Sequence, residues 1–122
     1  METGTTFSSL DELGEGPGFR KIRTPLGITA FGVNAIVLPE GYETNFHTHE
    51  RQEELYFVHE GRILMTLGDG SEHELGPGGL ARVAPEVPRK LKAIGGEATY
   101  LCVGGKDGYV ERDGVMFEPG DA

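Results

Sequence analysis

Among its 122 residues the chain has a single cysteine, Cys102, and no tryptophan. One cysteine excludes an internal disulfide, and its place in the apolar run Tyr100-Leu101-Cys102-Val103 predicts an inert core thiol. Long apolar runs are missing as well: no stretch approaches the ~20 residues that a membrane-spanning helix needs. The opening Met1-Glu2-Thr3 has neither a basic start nor an apolar run behind it, so no signal peptide is read and a cytoplasmic location is expected. Basic residues are few: 11 Lys and Arg stand against 20 Asp and Glu, a net charge of -9. That balance argues against nucleic acid and anionic membrane surfaces as partners, since both require a basic patch. It leaves room for a small anion in a pocket with its own arginine. Helix-period patterning, a Gly-x-Ser-x-Gly nucleophile elbow and a nucleotide fingerprint are also absent.

What the chain does have is punctuation. Twenty glycines and seven prolines cut it into short segments. The length suits one domain with a single core. Strands are predicted over 29–38, 45–49, 55–59, 62–67, 71–75, 80–84, 89–94 and 98–103. Asp69-Gly70 marks a hairpin between two of them. The segment 29–38 is apolar on both faces, as in a strand covered on each side. Many short strands with Gly/Pro turns indicate an all-β sandwich or barrel. Residues 1–20 are polar and glycine-rich and read as a loose N-terminal arm, 21–117 as the barrel, and 118–122 as a C-terminal tail. Gly76-Pro77-Gly78-Gly79 is a turn without the helix that a phosphate loop needs.

The chemistry concentrates between Gly41 and Gly61. His47 and His49, two apart in an extended strand, project to one face. Glu54 can add a carboxylate from the next strand, with Glu53 as its competitor. Two imidazoles and a carboxylate form the donor set of non-haem Fe(II) sites and also suit Mn, Zn or Ni. If Glu54 points inward, so do Tyr56 and Val58. Tyr56 is then a candidate pocket wall or proton donor. His59 and His73 fall outside this pattern and are expected on the surface.

Gly41, five residues, His47-x-His49, four residues, Glu54, six residues and Gly61 together resemble the first motif of the cupins. Gly79 and Pro85 resemble the start of the second motif, and the likeness runs from about Ile28 to Val103. The resemblance implies a jelly-roll, double-stranded β-helix barrel, favours Glu54 over Glu53, and implies one divalent metal held by His47, His49 and Glu54. It also implies a small-molecule ligand or substrate. Homodimers are common in the family through an outer apolar face, which here would comprise Leu55 and Phe57 with Ile63 or Met65.

One departure matters. The family's fourth ligand is a histidine in the second motif, and no histidine follows His73. Arg89 or Lys90 could stand in its place. Strand alternation selects Arg89, because the opposite register would turn Lys90 and Lys92 into the core. A guanidinium has donors only and cannot ligate a metal. Two functions remain open. In the first, the protein is a metal-dependent oxygenase, isomerase or decarboxylase acting on a small carboxylic acid or sugar. Arg89 would then bind the substrate, and Tyr56 and Arg89 are the catalytic candidates beside the metal. In the second, the barrel is a metal-free binding or sensor protein in which Arg89 pairs with Glu54 or an anionic ligand.

Overall fold

The computed structural model describes residues 4–116. The expected tail, 118–122, lies outside the described residues. Ten strands and one short helix follow in chain order: β1 (Gly18–Lys21), α1 (Arg23–Leu26), β2 (Gly32–Leu38), β3 (His47–His49), β4 (Glu53–Glu60), β5 (Ile63–Leu67), β6 (Glu72–Leu75), β7 (Leu80–Val83), β8 (Arg89–Ala93), β9 (Ala98–Gly105) and β10 (Gly114–Met116). They form two five-stranded antiparallel sheets, ordered β1-β2-β9-β4-β7 and β10-β3-β8-β5-β6. This is the jelly-roll arrangement that short strands and Gly/Pro turns call for. Among the described residues no helix is long and apolar enough to cross a membrane.

The core lies between the sheets. Ile36, Leu38, Tyr56, Val58 and Tyr100 from the first sheet meet Ile63, Met65, Leu91 and Ala93 from the second. Alternation decides each strand's inward face. Along β4, Glu54, Tyr56 and Val58 are buried while Glu53 and Leu55 are exposed. Along β8, Arg89, Leu91 and Ala93 are buried while Lys90 and Lys92 are partly exposed. Lys90 finds Glu43 at 3.6 Å. One expectation needs correcting here. Ile63 and Met65 belong to the core rather than to an outer apolar face, because β5 presents its first and third residues inward.

The hairpin at Asp69-Gly70 forms as its residues require. Gly70 takes φ +87°, Asp69 Oδ1 accepts the Ser71 N–H at 2.9 Å, and β5 and β6 pair from Ile63↔Leu75 to Thr66↔Glu72. Gly61, the last glycine of the motif, has φ +76° and an added Cβ there would lie 2.4 Å from the Glu97 carbonyl oxygen. No side chain fits at that corner.

Three elements lie outside the predicted ones. The loose arm ends in a strand, since β1 pairs with β2 from Gly18↔Val37 to Lys21↔Asn34. Arg20 ties the arm back by donating to the Leu10 and Gly16 carbonyls at 3.1 and 3.2 Å. The α1 turn is closed by Gly27 in the left-handed region. Finally, β10 pairs with β3 and sets Met116 opposite His47 and Gly114 opposite His49. The edge strands β1 and β10 are set by the strands they pair with, β2 and β3, rather than by alternation of their own.

Candidate metal centre

The two sheets meet at this site. His47 and His49 come from β3, Glu54 and Tyr56 from β4, and Arg89 from β8, where it pairs in register with His47. One ligand atom from each of His47, His49 and Glu54 lies within 4.8 Å of the others. A single ion at ~2.1 Å from each donor in tetrahedral or facial geometry sets the donors ~3.0–3.4 Å apart, so side-chain shifts that close the widest separation by up to about 1.8 Å bring all three onto one ion. Glu53 is outside the cluster. It is exposed and paired with Arg82 across the β4–β7 edge.

Glu54 is the centre of a hydrogen-bond network. Its Oε1 accepts from Tyr56 Oη at 2.6 Å and from Arg89 Nη2 at 2.7 Å. Its Oε2 accepts from Gln52 Nε2 at 2.9 Å and lies 3.0 Å from His49 Nε2. His47 Nε2 is 3.9 Å from Oε1 and 3.4 Å from the Tyr56 hydroxyl. Burial pushes the Glu54 carboxyl up, but the hydrogen bonds from His47, His49, Tyr56 and Arg89 outweigh it and hold the group well below the usual carboxylate range. Glu54 is therefore an anion at neutral pH, as a metal ligand must be.

Arg89 is fully buried. Its Nε donates to Tyr56 Oη at 3.2 Å, and Nη1 donates to the Val87, Pro85 and Ala84 carbonyls at 2.8, 3.3 and 3.4 Å. With Nη2 on Glu54, each guanidinium nitrogen has a protein acceptor. Arg89 stands behind Glu54 and does not line the cavity above it. Tyr56 does line it, yet its hydroxyl is held between Glu54 and Arg89. Burial, with Cys102 and Glu54 adding to it, keeps that phenol protonated far above its ordinary range.

Three contributors were not foreseen. Gln52 shares the Glu54 face two residues earlier, a signal that alternation carries. Asp113, the residue before β10, accepts the Arg51 and Gln52 N–H groups at 2.9 and 2.8 Å and so fixes the turn between the histidines and Glu54. It also lies 3.5 Å from His49 Nδ1, a buried nitrogen with no hydrogen-bond partner. A carboxylate beside the nitrogen that faces away from Glu54 is the arrangement that orients a ligating imidazole. No local signal links residue 113 to residue 49. Cys102 is the third: it is partly exposed and lines the cavity, where a core thiol was expected. Burial and the nearby Glu54 push its thiol well up, so it is not a nucleophile. His59 and His73 are at the surface, as expected.

Above the cluster opens a cavity of about 630 Å³, reached between β1, β10 and the loop at Tyr42–Asn45. The residues at its base fit a divalent ion: two imidazoles, an ionised carboxylate, and an orphaned imidazole nitrogen next to a second carboxylate.

Comparison with known proteins identifies the fold. The Cupin domain family matches residues 34–104. An uncharacterized protein of Methanocaldococcus jannaschii is 39% identical over 82 residues, covering 67% of this chain and 65% of that protein, so the match spans just under two thirds of its length. A cupin protein from Bacteroides fragilis superposes with a TM-score of 0.74 at 27% identity, over 97% of this chain and 100% of that one. A structure described as a cupin-superfamily sugar phosphate isomerase from Silicibacter pomeroyi gives 0.65 at 28% identity, over 72% of this chain and 58% of that one. The chain belongs to the cupin family.

Proposed function

We propose that this protein is a metal-dependent small-molecule cupin in which His47, His49 and Glu54 hold one first-row divalent ion at the base of the 630 Å³ cavity. The observation that carries this reading is the convergence of the three donors from two sheets, with Asp113 behind His49. A bound ion would supply Lewis acidity or redox chemistry at positions left open to a ligand. The protein's part is to hold the donors and shape the cavity. Arg89 and Tyr56 hold Oε1 of Glu54, while Oε2 faces His49 and accepts from Gln52. Arg89 acts through Glu54, not as an anchor for substrate.

Once His47, His49 and Glu54 serve as ligands, no other His, Asp or Glu lines the cavity among the described residues. Tyr56 is committed to Glu54. A reaction that relies on a free protein base is therefore poorly supported, and an oxygenase-type reaction at the metal is favoured over isomerisation. A second reading rests on the 2.7 Å contact between Arg89 and Glu54, which neutralises the carboxylate without any ion. In that reading the barrel is a metal-free binding protein. Metal analysis of protein purified without a histidine tag separates the two. Close to one ion per chain supports the first, and a metal-free chain that takes up none from added Fe(II), Mn(II) or Zn(II) overturns it.

A homodimer is also proposed. Leu55 and Leu80 are exposed on the outer side of the first sheet, with Phe57 partly buried between β7 and β9. An apolar face of this kind favours pairing.

A further inference from the structure

Among the described residues, two charged side chains touch the proposed donors without being one of them. Arg89 Nη2 donates to Glu54 Oε1 at 2.7 Å, and Asp113 Oδ2 lies 3.5 Å from His49 Nδ1. Imidazoles bind a metal in their neutral form, so Glu54 is the one anionic donor of the three, and Arg89 cancels its formal charge. The Arg89–Glu54 pair is dry, with side chains 0% and 6% exposed. Tyr56 and the Ala84, Pro85 and Val87 carbonyls hold the remaining guanidinium nitrogens, so the cation cannot swing away. Water and salt screen such a charge little.

A fixed cation opposes the charge of a neighbouring ion in proportion to that charge. It therefore disfavours a trivalent ion more than a divalent one. Arg89 also draws electron density from the carboxylate through its N–H, and Tyr56 adds a second donor on the same oxygen at 2.6 Å. Asp113 works in the opposite sense by strengthening His49 as a donor. Its charge, however, is shared with the Arg51 and Gln52 N–H groups and acts through a ring, whereas Arg89 bonds the ligating carboxylate itself.

We infer that Arg89 sets the charge state of the bound ion: by holding Glu54 Oε1 it raises the reduction potential of a redox-active ion such as iron and keeps it divalent. The inference rests on the reading of His47, His49 and Glu54 as a metal site. Arg89 is a positioning residue in this account, acting through Glu54.

The test uses the full chain loaded anaerobically with Fe(II) and titrated against redox mediators, with Fe(III) read by electron paramagnetic resonance. Arg89→Gln keeps an amide for Glu54 and the carbonyls but removes the charge, and should lower the potential. At one fixed solution potential its Fe(III)/Fe(II) ratio should exceed that of the wild type about tenfold or more, a shift of about 59 mV for one electron. The difference should persist in about 1 M salt, which screens surface charges. Arg62→Gln removes the same charge from the exposed pair with Glu74 and should leave the potential in place. Asp113→Asn should raise it. If Arg89→Gln does not fold, Tyr56→Phe carries the test, with a smaller shift in the same direction as expected for Arg89→Gln. A purely structural role for Arg89 would alter stability and iron uptake without moving the potential.

A folded Arg89→Gln variant with the wild-type potential overturns the inference, as does an equal shift from Arg62→Gln. So does a shift of the same sign from Arg89→Gln and Asp113→Asn, or an unmoved potential in Tyr56→Phe where Arg89→Gln does not fold. Iron uptake by equilibrium dialysis is read first. A wild-type chain that takes up no iron, manganese or zinc removes the metal site and this inference with it, whereas uptake with an unmoved potential removes the inference alone.

Discussion

Arg89→Met separates burial from distance as the source of an ion pair's strength. Two pairs in this fold share a 2.7 Å contact. Arg89 and Glu54 have side chains 0% and 6% exposed, whereas Arg62 and Glu74 are 53% and 50% exposed. Water already solvates the second pair, so breaking it should cost about 0–1 kcal/mol. Removing Arg89 strands Glu54 with a buried charge and takes the donor from the Ala84, Pro85 and Val87 carbonyls. A loss of about 3–5 kcal/mol is expected for breaking a buried pair in this way. Tyr56, Gln52 and His49 still face the carboxylate, which argues for the lower end. With a urea slope of about 2 kcal/mol/M, the midpoint should fall by roughly 1.5–2.5 M for Arg89→Met and by less than about 0.5 M for Arg62→Met. Both are measured by equilibrium unfolding with chelator present, so that no ion contributes. Adding Glu54→Gln to Arg89→Met should recover part of the loss by removing the stranded charge. If Arg89→Met cost no more than Arg62→Met, the account of Arg89 as the clamp on Glu54 would fail.

Other outcomes follow from the same geometry. Chelation should lower the melting temperature of metal-loaded protein, by the equivalent of about 2.7 kcal/mol at a hundredfold excess of ion over Kd, and His47→Ala with His49→Ala should abolish uptake in equilibrium dialysis; full uptake by that double variant would place the ion elsewhere. The Asp113 carboxyl is pushed up by burial but pulled further down by the Gln52 and Arg51 N–H groups and by His49, so its folded value lies below the ordinary 3.8. Its contribution to stability is therefore present above that ordinary value and lost as pH falls toward the depressed one. Asp113→Asn should flatten the acid limb of metal-free stability, and an unchanged slope in denaturant melts at stepped pH would refute the role given to Asp113. Sedimentation should show a dimer that Leu55→Lys with Leu80→Lys converts to monomer, and a wild-type monomer at all concentrations would dismiss that face.

Much of the barrel is legible in the sequence because strand alternation has only two registers. In 89–93 one register buries Leu91 and Ala93 and the other buries two lysines, so the inward turn of Arg89 follows from the sequence alone. The same reasoning puts Glu54 and Tyr56 on one face and would have put Gln52 there too. Elements that depend on distant partners are not legible. Gly18–Lys21 is a strand because β2 offers an open edge, and Gly114–Met116 because β3 does. Asp113 joins the site only through the fold, since 61 residues of chain separate it from Gln52. The destination of the guanidinium was equally hidden. Alternation says that Arg89 points inward, but only the placement of Glu54, Tyr56 and the 84–87 carbonyls shows that each guanidinium nitrogen has a protein acceptor.

The division of the site between two sheets limits how such a centre can be moved or copied. The segment from His47 to Glu54 contains every proposed ligand, yet as an excised peptide or a loop grafted onto another scaffold it would lack Arg89, 35 residues beyond Glu54, and Asp113, which pins its turn. Without the first, the carboxylate loses the cation that holds Oε1. Without the second, the turn that sets the histidines against Glu54 is free to open. The centre is therefore heritable only as a whole barrel, and a design that borrows the motif must also carry over its two distant supports.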